Sequence, residues 1–187
     1  MNLIQLAVAI FETAESCDVQ HMAVGAIAAG TYGIPRATKD IDLLVSLDAK
    51  HGIRKLIPAL EEFIEFESQA QFDTITWGRR HVGVSRTPPP FKVELFEMFN
   101  DPFVESEFSR RQRRFLPLLN REIWLPTAED VIVQKIRWGR SKDLDDARDV
   151  LAVQGPETLD MSYIENWCSI HGTSGRLSDI LASLPDL

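Results

Sequence analysis

The sequence predicts an α+β fold, a mixed β-sheet core flanked by helices and followed by a C-terminal helical subdomain. Three observations lead there. Residues 2–16 carry apolar side chains at helical spacing, with Leu3, Leu6, Ala7, Ile10 and Ala14 on one stripe. Residues 73–86 and 91–99 alternate in the manner of strands. Beyond residue 127 the apolar pattern is helical throughout. The expected division is a core over 1–126 and a helical subdomain over 127–187 packed on it.

The elements follow in order. After the first helix, "HMAVG" (21–25) reads as a short strand and "AIAAGTYG" (26–33) as a short helix closed by Gly33 and Pro35. "DIDLLVS" (40–46) is a strand that begins polar and turns wholly apolar. Residues 49–64 are mostly helical, with Pro58 expected to kink or interrupt the run. Pro88, Pro89 and Pro90 join the two alternating strands rigidly. "REIWLP" (121–126) reads as one more short strand. Thr127 followed by Asp130 gives a capping-box start to the next helix. In "DLDDARDVLAV", Leu144, Ala147, Val150 and Leu151 repeat on one face, and two final helices follow Asp160 and Ser174.

Composition bounds the function. The chain has 187 residues, 44% hydrophobic and 26% charged, enough for a substantial core without disulfide or metal staples. Cys17 and Cys168 lack metal-ligand spacing and read as neutral thiols in a reducing, cytoplasmic setting. The apolar N-terminus has no basic flank and soon meets Glu12 and Glu15, so a helix is expected there rather than a signal peptide. No run of 18 apolar residues exists, and no membrane span is expected. The net charge of −8 speaks against indiscriminate nucleic-acid binding. Yet nine of the twenty Lys and Arg fall between Arg110 and Lys142, a local positive field suited to a phosphate-bearing ligand or to pairing with nearby acids.

Asp40 and Asp42 carry the chemistry. On a strand, residues i and i+2 face the same way, so the two carboxylates project together while Ile41 and Leu43 face the core. Side by side they repel, and burying them unpaired is costly. A divalent cation removes both penalties, and Mg²⁺ favours carboxylate oxygens with substrate phosphates. Pairing with Lys39 or Arg36 would serve as well, and some glycosyltransferases carry such a pair for a metal-bound sugar diphosphate. Upstream, Gly25 joins a strand to a helix N-terminus, whose free N–H groups favour phosphate. Downstream, Glu94 stands between Val93 and Leu95 and could supply a third carboxylate; Glu97 is its rival on the other strand face.

Together, Gly25-Ala26, the thirteen-residue spacer, "DIDL" and the later "FKVELFEM" resemble the DNA polymerase β-like nucleotidyltransferase superfamily, over roughly residues 20–100. "YGIPRATKDIDLLV" looks especially like the small prokaryotic branch that includes toxin–antitoxin and abortive-infection nucleotidyltransferases. "LPTAEDVIVQKIRWGRSKDLDDARDVL" is similar to the helical region that follows the core in that branch.

The resemblance implies a nucleotidyltransferase-like fold and the transfer of an NMP from an NTP to an acceptor hydroxyl on a tRNA, a protein or a small molecule. It implies Asp40, Asp42 and Glu94 as catalytic ligands of Mg²⁺ or Mn²⁺. Gly25, Ala26, Arg36, Lys39, Lys135, Lys142 and Asp143 would bind the nucleotide, with Asp146 bracing the cleft, and a cognate antitoxin is an implied partner. Ala26 departs from the family's Gly-Gly/Ser pair and offers no hydroxyl to a phosphate. That departure leaves a second reading, a catalytically degenerate nucleotide-binding module of a two-component regulatory system.

Overall fold

The computed structural model describes residues 1–46, 52–73 and 78–184. Helix α1 (Leu3–Ser16) starts at Asn2, whose side chain and that of Gln5 cap each other's backbone N–H. Its buried stripe is Leu6, Ala7, Ile10, Phe11 and Ala14; four of these were expected from spacing, Phe11 joins them, and Leu3 is half-buried. Strand β1 (His21–Ala23) leads through Val24 into α2 (Gly25–Tyr32), and β2 (Asp40–Val45) follows. Ile41, Leu43 and Val45 of β2 are fully buried, each worth about 1.5–3 kcal/mol over exposure.

Helix α3 (Ile53–Leu60) precedes β3 (Ile64–Phe66), β4 (Gln71–Phe72), β5 (Arg79–Ser85) and β6 (Lys92–Glu97). The sheet runs β1-β2-β6-β5-β3, with β4 also on β5. Among the described residues only β2 and β6 pair in parallel. That parallel pair is central and sets the register on which the site depends.

The helix expected over 49–64 is shorter. Pro58 lies inside α3 without stopping it, but the helix ends at Leu60, and Ile64–Phe66 pair with β5 instead. Residues 49–51 lie outside the described residues, as do 74–77 of the expected strand over 73–86.

Residues 102–109 and 112–116 form elements that the sequence reading did not include. Helix α4 (Pro102–Ser109) is capped by Asp101, which accepts from Phe103 and Val104, with Pro102 at the first helical position. Strand β7 (Gln112–Leu116), masked by the charges of the basic run, pairs in a hairpin with β8 (Arg121–Leu125), the short strand expected over 121–126.

Helix α5 (Ala128–Trp138) begins with the Thr127–Asp130 capping box and ends on Gly139 at φ 67°. Then come α6 (Ser141–Gln154), α7 (Met161–Ile170) and α8 (Ser174–Ala182). One buried cluster joins Leu6, Ile41 and Val93 to Ile132, Val150 and Ile180, so the C-terminal helices share the sheet's core. The other sheet face is covered only in part. There Met22, Val24 and Leu44 pack with Val104 and Phe108 of α4. Because side chains alternate along β2, Leu44 shares this face with Asp40 and Asp42. Helix α4 shields the Leu44 end and leaves the carboxylate end open.

Candidate functional site

The site is assembled where α2 meets β2. Gly25 has φ 63°, a region that favours glycine, and a Cβ there would run into the Asp42 carboxylate. The Val24 N–H donates to the Asp42 carbonyl at 2.9 Å, tying the helix entrance to the strand. Thr38 Oγ1 accepts from the Asp40 N–H at 3.1 Å and steadies the strand's first residue.

Parallel pairing puts Asp42 opposite Glu94 and Asp40 opposite Lys92. The three predicted carboxylates therefore stand on one face and line one polar cavity of about 270 Å³. Glu97 does not join them; it pairs with His81 at 2.7 Å.

Asp42 Oδ1 is buried with no hydrogen-bond partner. Burial, and after it the charges of Glu94 and Asp40, push the Asp42 carboxyl up to about 7. Glu94 is more settled. Its Oε1 lies 3.0 Å from Arg80 Nη1 and its Oε2 3.0 Å from Lys92 Nζ. Among the described residues no three ligands already form a metal-binding group. The carboxylates nevertheless suit a hard divalent cation, because the Asp42 oxygen has no hydrogen-bond partner among the described residues and both neighbouring carboxylates are acidic.

The predicted nucleotide residues divide into two groups. Gly25 abuts Asp42, and Lys142 lines the cavity. Behind the cavity lies a buried ion network. Lys135 Nζ donates to Asp146 at 2.7 Å and to Asp143 at 3.2 Å. Arg36 grips Asp146 through Nε at 2.9 Å and Nη2 at 3.2 Å, and Arg140 grips Asp143. Lys135 and Asp143 are thus buried internal partners, joining α5 to α6, while Arg36 secures the loop before β2. Lys39 is exposed and supplies its carbonyl to the Lys92 N–H. Ala26 lines a different cavity, on the opposite face of β2.

Much of the basic window is consumed likewise. Arg110 pairs with Asp130, Arg113 with Glu15 and Glu122, Arg121 with Glu12 and Glu15, and Arg137 with Asp101. Arg140 and Lys142 are the members of that window that reach the cavity.

Sequence reasoning missed Arg80, Phe72, Phe96, Trp138 and Arg140, which line the same space. Arg80 sits opposite Phe96 in the ladder, a pairing no local pattern reveals. Trp138 had a signal: it lies three residues after Lys135 on α5, hence on the same helical face. Its ring centroid is 5.5 Å from Lys135 Nζ and 5.1 Å from Arg140 Cζ.

The architecture can be compared with solved structures. An antigenic nucleotidyltransferase-like protein from Paracoccidioides brasiliensis aligns over 99% of this chain and 94% of its own, with TM-score 0.59 and 20% identity. The antibiotic-resistance factor ANT(2'')-Ia in solution aligns over 94% of this chain and 96% of its own, with TM-score 0.62 and 11% identity. Crystalline ANT(2'')-Ia in complex with adenylyl-2''-tobramycin aligns over 90% of this chain and 98% of its own, with TM-score 0.60 and 12% identity. The fold is nucleotidyltransferase-like. That agrees with the resemblance carried by "DIDL" and its flanking motifs, and with an α+β core bearing helices. No family model matches the chain, and no curated protein does.

Proposed function

We propose that this chain is a metal-dependent nucleotidyltransferase that moves an NMP from an NTP to an acceptor hydroxyl. The observation carrying the reading is the buried, unpartnered Asp42 oxygen, held in register with Glu94 and beside Asp40, under the glycine that opens α2. A nucleotidyltransferase-like fold around those residues supports it, and among the solved relatives ANT(2'')-Ia carries an adenylylated small molecule.

Asp40, Asp42 and Glu94 would hold Mg²⁺ or Mn²⁺, which when bound neutralises phosphate charge and lowers the pKa of the attacking hydroxyl. The α2 N-terminus at Gly25 and the Lys142 ammonium hold the triphosphate. In the reaction the acceptor oxygen forms a bond to the α-phosphorus, the bond from that phosphorus to the bridging oxygen breaks, and pyrophosphate leaves. Glu94 takes the hydroxyl proton, which requires it to let go of Arg80 and Lys92. Lys135, Asp143, Asp146 and Arg36 position the helices and the loop that frame the cleft rather than touching the nucleotide.

The acceptor is a tRNA end, a protein side chain or a small molecule. Internal pairing of most of the basic window weakens the case for a long RNA and favours a compact acceptor. The second reading, a catalytically degenerate nucleotide-binding module of a two-component regulatory system, rests on the same cleft. Ala26 and the Arg80–Glu94 ion pair are the features that favour that second reading.

Purified protein with Mn²⁺ and each α-labelled NTP, offered RNA, protein and aminoglycoside acceptors, separates the two. Transfer of label that disappears in Asp42→Asn supports the transferase. Metal-dependent NTP binding with no transfer to any acceptor supports the binding module.

A further inference from the structure

The face of β2 opposite the carboxylates borders a second and larger cavity, of about 510 Å³. Helix α1, helix α2, Ile41 and the β7–β8 turn wall it, and the walls are apolar almost throughout. Its width has a sequence origin. Ala7 and Ala26 occupy two wall positions, and their small side chains leave space that Leu or Ile would fill. Protein interiors pack closely, and a hollow on this scale, roughly 300–1,000 Å³ with few polar groups, is the usual form of a small-molecule site.

Polar groups gather at one rim, where Thr31, Arg36 and Thr38 stand. Arg36 commits Nε and Nη2 to Asp146. Its Nη1 makes no hydrogen bond among the described residues. The ion network behind it holds Arg36, Lys135 and Arg140 against Asp143 and Asp146. The opposite lip is greasy and open: Phe115 is 57% and Leu118 72% exposed.

We propose that this cavity binds an organic anion with an aliphatic or aromatic body, the body lying between α1, α2 and the β7–β8 turn and the anionic end meeting Arg36. Apolar walls take the body through area burial, and a guanidinium edge takes a carboxylate or sulfonate through charge-assisted hydrogen bonds. The site does not depend on the nucleotidyltransferase reading, because none of Asp40, Asp42 and Glu94 lines it. It shares with that cleft helix α2, the loop that carries Arg36 and Thr38, and strand β2, whose Ile41 faces this cavity while Asp40 and Asp42 face the other.

The test uses 8-anilinonaphthalene-1-sulfonate fluorescence with the full chain, displaced by decanoate, decanol or decylammonium. Saturable one-to-one binding is expected, with decanoate displacing the probe roughly tenfold better than decanol and decylammonium displacing it least. Leu118→Glu, at an exposed lip position, should weaken decanoate by at least about tenfold. Thr31→Trp, at an exposed rim position, should fill the hollow and weaken every probe. Asp42→Asn should change none of these. Circular dichroism establishes that each variant is folded; should one unfold, the other decides. Absence of saturable binding, or binding undiminished in the folded variants, overturns the proposal. So does displacement by decylammonium or decanol equal to that by decanoate.

Discussion

Lys135→Met offers the sharpest separation between a residue that holds the fold and one that grips a nucleotide. The Lys135 ammonium is 3% exposed and lies 2.7 Å from Asp146 and 3.2 Å from Asp143. Methionine fills the volume but leaves two buried carboxylates short of one cation. Removing one partner of a buried ion pair costs about 3–5 kcal/mol. Here Arg36 still grips Asp146 and Arg140 still grips Asp143, which places the loss near the low end, about 3 kcal/mol. In a chain of this size that corresponds to a Tm lower by about 6–12 °C.

The loss should also depend on pH. Burial alone would raise the Asp146 carboxyl, but hydrogen bonds from Arg36 and Lys135 outweigh it and hold Asp146 below its ordinary range. A depressed carboxylate stabilises the fold above its unfolded pKa, about 3.9 for Asp, and that stability disappears as pH falls through the folded value. The gap between wild type and Lys135→Met should therefore be full at pH 6 and narrow below about pH 4. Thermal melts across that range give the measurement. Asp146→Asn should cost less in the Lys135→Met background than alone, because the pair is already broken. A Lys135→Met protein that melts within about 2 °C of wild type and yet loses nucleotide affinity would refute this account and make the lysine a ligand contact.

Three other outcomes are expected. Mn²⁺ at about a hundred times its Kd should raise the wild-type Tm by about 5–10 °C; Asp42→Asn should abolish the rise, and an equal rise in both would place the ion elsewhere. Gly25→Ala should lower the Tm by about 2–8 °C from its left-handed backbone alone and abolish nucleotide binding by pushing Asp42 aside, as differential scanning fluorimetry and equilibrium dialysis would show. Glu107, raised well above the usual range by burial and then by Asp130, favours folding while protonated. Its stability is complete below the unfolded pKa of about 4.3 and is lost as pH rises toward the folded value. Glu107→Gln should match wild type near pH 4 and melt progressively higher than wild type toward pH 8.

The legible parts of the fold were those whose signal is local. The stripe of α1, the polar-then-apolar β2 and the Thr127–Asp130 cap each lie within one element, and each has its expected form. Helix α4 was missed although Asp101-Pro102 is a start signal, because the run after it is short and broken by charge. The strand of Gln112–Leu116 was hidden for a related reason: three of its five side chains are exposed, so no burial alternation marks it. The length of α3 depended on Ile64–Phe66 finding a partner in β5, which is a long-range event.

The candidate site divides along the same line. The order of residues alone established that Asp40 and Asp42 project together, since alternation along one strand is a property of the backbone. It also established a glycine at the strand–helix junction before them. Whether Glu94 would stand beside Asp42 was decided by the parallel register of β2 and β6, and whether it would be unencumbered by the approach of Arg80 from β5 and Lys92 from its own strand. The partners of Lys135 were decided in three dimensions too, because they lie eight and eleven residues away on the next helix. Charge partners are chosen by proximity in space, and proximity between separate elements is something only packing supplies.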